Sequence, residues 1–220
     1  MQLIDTTKLS SQLCEKPIQA KLSYASKKNF VGRVIAGYHE NIDNIALMTP
    51  KSAQALCNVQ NYLIKHHQLG LLVHDAYRPH KAVRDFMAWS LQTVANPYEL
   101  ERKEKHYPNI EKSELFALGY LAEDSYHCYG NTVDLVLINL VTQEVLDMGA
   151  RFDFMDELAH LTTDESIIGK NAYKNRMILQ NAMMQFDFEP YEKEFWHFSH
   201  RGILGREINT AMDTDVVDNN

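Results

Sequence analysis

Two short stretches about sixty residues apart concentrate the side chains able to do chemistry: Ser125-Tyr126-His127-Cys128-Tyr129-Gly130-Asn131-Thr132-Val133-Asp134 and Glu194-Phe195-Trp196-His197. His127, His197 and Asp134 supply two imidazoles and one carboxylate, a three-ligand set that leaves zinc a fourth position for water. Glu194 adds a carboxylate placed to move protons there. The chemistry such a set performs is hydrolysis.

The spacing constrains how these residues could meet. His127 and Asp134 are seven apart and would share a face of a continuous helix, but Gly130-Asn131-Thr132-Val133 disfavours one, and a strand would point them oppositely. A turn at Gly130 reconciles them, with His127 on the arriving loop and Asp134 on the departing strand. Taken singly, His127 reads as a satisfied polar residue rather than a ligand. Asp134 lies in the apolar run Thr132-Val133-Asp134-Leu135-Val136-Leu137, where a carboxylate requires a cation or several donors. Glu194 and His197, three apart, meet on a strand only through a bulge or an entry turn, and Pro190 upstream suits the latter. Phe195 and Trp196 between them are core aromatics or, flanking a metal, groups that would dry the cavity.

Rival ligands exist. His200 completes His197-Phe198-Ser199-His200, but positions i and i+3 of a strand diverge, so His200 is placed outside the set. Cys128 neighbours His127, and adjacent residues of an extended loop point apart, so it is read as a small buried residue. His66, His67 and His160 are read as surface and helix positions. Arg78, in Asp75-Ala76-Tyr77-Arg78-Pro79, is either a salt-bridge partner or a clamp for an oxyanion. Its planar fork of permanent donors at a strand end suits the second role.

The surrounding pattern supplies the elements that must hold these groups. After Pro50, residues 51–67 carry Ala53, Leu56, Val59, Tyr62 and Leu63 at helical spacing, with Gly70 as the stop. Residues 71–75 form a short strand, Pro79 suits a first helical turn, and 81–94 repeat the helical period through Val83, Phe86, Met87, Leu91 and Val94. Residues 96–112, charged and interrupted by Pro97 and Pro108, predict a surface excursion with little regular structure. A short helix over 114–122, a buried strand over 132–140, a helix over 171–186 through Met177, Ile178, Ala182 and Met183, and a strand over 195–198 follow. Intermixed helices and strands with hairpin returns predict an α+β fold.

Composition sets outer limits. With 220 residues and 45% hydrophobic content, one core can bury roughly 70% of the unfolded surface. A single domain over 1–208 is expected, followed by a polar acidic tail over 209–220. A net charge of -7 suits neither phosphate backbones nor anionic bilayers, so neither nucleic acid nor membrane is expected as partner. The N-terminal residues lack a signal-peptide pattern, and no stretch reaches the roughly 18 apolar residues of a membrane span. Three scattered cysteines without a CxxC pair suit a reducing compartment. The cytoplasm is the expected location.

Four motifs in order, Asp75-Ala76-Tyr77-Arg78-Pro79, Ser125-x-His127-x-x-Gly130-x-x-x-Asp134, Met148-Gly149-Ala150-Arg151-Phe152-Asp153 and Glu194-Phe195-Trp196-His197, resemble the VanX-type D-alanyl-D-alanine dipeptidases. The likeness runs from about Tyr24 to His197. It implies the zinc D,D-peptidase fold related to the Hedgehog signalling domain, a mixed and largely antiparallel sheet with packed helices. It also implies one zinc held by His127, Asp134 and His197, with Glu194 as catalytic base and Arg78 as transition-state stabiliser. Ser125 and Asp153 would hold the substrate's ammonium, joined by Tyr24. The chain departs from the family pattern in Phe195, in Cys128-Tyr129 and in Thr132, the last three expected at the cavity rim.

The implied reaction is zinc-dependent hydrolysis of the dipeptide D-Ala-D-Ala. Two other readings share the metal set: a D,D-carboxypeptidase acting on longer peptidoglycan stems, and a non-catalytic module that keeps zinc for structure. The last has no need of Glu194 and Arg78.

Overall fold

The apolar run that begins at Thr132 becomes the central strand of a five-stranded sheet, buried along nearly its whole length because both faces are covered. The computed structural model describes residues 2–93 and 97–201; the expected tail over 209–220, and the end of the domain expected over 1–208, lie outside them. In chain order the strands are β1 (Ile4–Asp5), β2 (Gln19–Ala20), β3 (Leu47–Met48), β4 (Leu69–Asp75), β5 (Thr132–Asn139), β6 (Phe188–Tyr191) and β7 (Glu194–His200). The helices are α1 (Thr6–Leu13), α2 (Pro50–His67), α3 (His80–Ser90), α4 (Pro97–His106), α5 (Glu165–Ile168) and α6 (Lys170–Gln185). The sheet order is β2-β4-β5-β7-β6, with β1 and β3 pairing separately. β2 runs parallel to β4 and every other neighbour is antiparallel. This is the mixed, largely antiparallel α+β arrangement expected.

α2 starts where Thr49 accepts the Ser52 amide and Pro50 fills the first helical position, whose amide would lack a partner anyway. Ala53, Leu56, Val59 and Leu63 are buried against β4, α1 and α6. Each such leucine contributes about 2 kcal/mol by leaving water. The helix ends one residue sooner than a Gly70 stop requires, at Gln68 in the left-handed conformation. Gly70 is already inside β4, where a Cβ would lie 2.7 Å from Leu140 Cδ2. In α6, Leu179, Ala182 and Met183 are buried, while Met177 and Ile178, expected on the core face, are only half-buried.

Three expectations fail for identifiable reasons. Residues 97–106 form α4 rather than an irregular excursion, because Pro97 begins a helix and Glu99 and Lys103, Lys105 and His106 suit its two dipole ends. α3 stops at Ser90, whose hydroxyl turns back to the Met87 carbonyl, leaving Leu91 exposed; Pro79 caps that helix from outside, and Val94 lies outside the described residues. In place of a helix over 114–122 there is a 3₁₀ turn at Lys112–Glu114. Beyond it the Leu115 carbonyl accepts from both Tyr120 and Leu121, around Gly119 at φ +80°.

Gly130 is a backbone requirement. It takes φ +71°, ends the 3₁₀ turn Tyr126–Tyr129, and its carbonyl accepts the Thr49 amide. A Cβ there would lie 2.4 Å from Leu3 Cδ2 and 3.4 Å from Thr49 Cγ2. Gly130→Ala is therefore expected to destabilise the protein by about 1–3 kcal/mol, read as a lowered urea midpoint; an unchanged midpoint would show that the turn does not need glycine.

Candidate active site

The site is assembled by sheet register. Asp134 of β5 pairs with Asp75 of β4 on one side and with His197 of β7 on the other, and directly opposed residues project on the same face. His127 arrives from the 3₁₀ turn before β5. Its Nδ1 lies 2.7 Å from the Ala76 carbonyl, which can only accept, so the proton sits on Nδ1 and Nε2 is left with a lone pair. That Nε2 is 3.3 Å from Asp134 Oδ1, and His197 Nδ1 is 3.1 Å from the same oxygen and 3.4 Å from His127 Nε2. One ligand atom from each of the three residues lies within 4.8 Å of the others.

Glu194 reaches the same place through an irregularity. β6 and β7 pair regularly from Phe188↔His200 to Pro190↔Phe198, then jump to Tyr191↔Glu194, leaving residues 195–197 without β6 partners. This break is a bulge-type irregularity within the ladder rather than the entry turn that Pro190 suggested, and it brings Glu194 Oε2 to 3.5 Å from His197 Nδ1. Burial pushes the Glu194 carboxyl well above its ordinary range, with the charges of Asp134 and Asp153 adding to it. Burial also pushes Asp134 upward, but the facing imidazoles outweigh it and hold that carboxyl far below the carboxylate range.

Arg78 lies just past β4 and is buried over the rings of Tyr24 and Phe86, 5.2 and 5.5 Å from their centroids. Its Nε and Nη2 both reach Asp75 Oδ2 at 2.9 Å, and Nη2 lies 3.5 Å from Asp134 Oδ2. Asp75 is fully buried and accepts a 2.7 Å hydrogen bond from Tyr38. The motif around Arg78 contains Asp75, yet its task of fixing the guanidinium is visible only once the chain is folded.

Opposite the imidazoles, Asp153 adopts φ +58° and accepts a 3.0 Å hydrogen bond from the Tyr24 hydroxyl on Oδ1; its Oδ2 is buried without a donor. Burial, then the charge of Asp134, pushes the Asp153 carboxyl well above its usual range. The ring of His106 holds the Asp153 backbone carbonyl at 3.0 Å from Nδ1. Tyr24, Arg78, Ser125, Asp153, Glu194 and His197 all line one cavity of about 190 Å³. Every residue singled out for catalysis or substrate contact in the sequence thus meets in one place.

The rival residues go elsewhere. His200 points into the far side of the sheet, 3.3 Å from the Ser52 hydroxyl, and burial lifts the Cys128 thiol to about 11, so it remains a small buried group. His66 and His67 are exposed at the end of α2, and His160 bonds the Tyr120 hydroxyl at 2.8 Å. Trp196 lines the cavity, whereas Phe195 packs behind it on Arg176, 4.4 Å from ring centroid to guanidinium. Cys128, Tyr129 and Thr132 do not line the cavity. Thr132 bonds Ser199 and Tyr129 bonds Asp124, while Tyr126 and Asp124 form that part of the rim.

The donor set fits a divalent cation. Asp75, Asp134, Asp153 and Glu194 are four buried carboxylates around one buried guanidinium, and Asp134 Oδ1 lacks a hydrogen bond although two imidazoles lie beside it. Nitrogen and carboxylate oxygen in a three-residue set are the donors that zinc takes in catalytic sites. This fold and this cluster define a metallopeptidase. The chain belongs to the D-ala-D-ala dipeptidase family of peptidases, which it matches over residues 10–213. A D-alanyl-D-alanine dipeptidase of Enterococcus faecalis is 40% identical over 175 residues, 80% of this chain and 82% of that protein. Those of Enterococcus faecium and Streptomyces coelicolor are 38% and 36% identical with the same shares covered.

Burial lowers His106 from 6.5 to about 4. A histidine whose folded pKa is depressed binds protons better unfolded, so its contribution is complete above about pH 6.5 and declines as pH falls toward 4. Comparing urea unfolding at pH 7.5 and 5.0, His106→Gln should lose about 1–2 kcal/mol less than wild type over that interval. An equal loss in both proteins would refute the assignment.

Proposed function

We propose that this protein hydrolyses D-alanyl-D-alanine to two D-alanines with one zinc per chain, held by His127, Asp134 and His197. The carrying observation is the convergence of Asp134, His197, Glu194, Arg78 and Asp153 on one small cavity, with a His127 nitrogen within 4.8 Å of the Asp134 and His197 ligand atoms behind it. Zinc in such a set supplies Lewis acidity and lowers the pKa of a bound water toward about 7.

The chain's own groups account for the remainder. Glu194, buried and raised in pKa, accepts a proton from the attacking water and returns it to the leaving amine, acting as base and then as acid. Arg78 keeps its charge at any working pH and is held in place by Asp75, so it can stabilise the developing oxyanion without reorganising. Asp153 faces the cavity with an unpaired oxygen, and Tyr24 fixes its other oxygen; with Ser125 this forms a seat for the substrate's ammonium. Trp196 excludes water beside the reacting bond.

The cavity's size favours a dipeptide over a longer stem, as does the cost of leaving Asp153 buried opposite a neutral amide. The same reading takes the cytoplasm as the compartment and a small peptide as substrate, without nucleic acid or membrane as partner; the three cysteines are free, as a reducing compartment would keep them.

Glu194→Ala is expected to keep one zinc per chain while D-Ala release falls by about 10³-fold or more, measured by metal analysis and by assay of free D-Ala. Release at the wild-type rate would eliminate Glu194 as the proton carrier. Wild-type protein should cleave the dipeptide in preference to a pentapeptide stem; the opposite preference would favour the carboxypeptidase reading.

A further inference from the structure

Behind the wall formed by Phe152 and Asp153 lies a second, larger cavity, about 720 Å³ in volume. The wall residue is two-sided: the Asp153 carboxylate turns toward Tyr24 and the catalytic cavity, while its backbone carbonyl is held by His106 of the second one. Five cationic side chains line this groove, Lys27, Lys28, Arg102, Lys105 and Arg151, against the carboxylates of Glu101 and Asp153. Glu101 and Lys105 are ion-paired with each other and Asp153 is engaged across the wall, which leaves Lys27, Lys28, Arg102 and Arg151 as the charges facing the groove. Such a concentration of positive charge on a chain of net charge -7 makes the groove a local attractor for anions.

Its construction is specific. Asn29 ties the loop before it by donating to the Ser23, Ser26 and Arg33 carbonyls and accepting from the Val31 and Gly32 amides. The Arg102 guanidinium lies flat on Gly32, occupying the space that a Cβ would fill, with its buried Nε lacking a hydrogen-bond partner among the described residues. Val136, Leu146 and Met148 give the groove an apolar floor, and the exposed ring of Tyr98 stands on its edge.

We propose that this groove binds an organic phosphate of nucleotide size, with its phosphates among the lysines and arginines and its body on the apolar floor. Several cations in one groove match a multiply charged anion, and arginine forks match phosphate oxygens in pairs. The volume exceeds what inorganic phosphate would fill.

Calorimetric titration of the zinc-loaded protein with ADP and with pyrophosphate tests this. Saturable one-site binding of ADP is expected below about 1 mM, at least about threefold tighter than pyrophosphate. Binding should weaken at least about tenfold in Lys28→Glu/Arg151→Glu, two exposed positions, with zinc content and melting temperature retained. Absence of saturable binding of both probes up to about 10 mM, or equal affinity in the variant, as when phosphate sits on the metal, would overturn the proposal. Binding of pyrophosphate as tight as that of ADP would overturn its organic part.

Discussion

A carboxylate buried in the middle of a sheet must be answered by positive charge, and the structure around Asp134 is organised by that demand. Its neighbours in register are a second buried acid, Asp75, and an imidazole, His197. Isolated, each carboxylate would cost several kcal/mol to hold ionised away from water. Arg78 answers Asp75 directly and touches Asp134 only at 3.5 Å, so one acid is satisfied by the protein and the other is left facing two imidazoles. The strand pairing, the Gly130 turn and the break in β7 all bring groups to that oxygen.

A second layer of support stands behind the first. Arg176 of α6 is buried, and it donates to the Met148, His160 and Leu158 carbonyls at 2.6, 3.0 and 2.9 Å while its guanidinium covers Phe195. Those carbonyls bracket the segment that carries Phe152 and Asp153, and Phe195 adjoins Glu194. One side chain therefore ties the loop bearing Asp153 to the strand bearing Glu194. Burial lowers its pKa to about 10 against the opposing charge of Asp147, and three carbonyl dipoles add to the compensation.

The residues of the site were more legible in the sequence than the elements between them. A charged side chain inside an apolar run, as at Asp134, is costly wherever it is buried, so its meaning survives ignorance of the fold. Glu194 and His197 were legible for a related reason: only an irregular strand could bring them together, and β7 is irregular there. α4 escapes the sequence pattern because proline and dense charge read as breakers, although both are favourable at helix ends. Leu91 fitted a helical period that the chain does not continue. Tyr38, His106 and Arg176 carry no pattern of their own, since they act through partners 37, 47 and 28 residues away, whereas Asp75 lies three residues from Arg78 and only its burial in the fold makes that pairing necessary.

The row Asp75, Asp134 and His197 joins three strands that are remote along the chain. Pairings of that sequence separation close late and slowly in folding, because chain entropy must be lost before the contacts form. During synthesis the last imidazole, His197, emerges 63 residues after Asp134, so a nascent chain that has not reached it presents an incomplete donor set. A tightly held ion would therefore select the finished topology, adding stability to the folded molecule and little to its precursors.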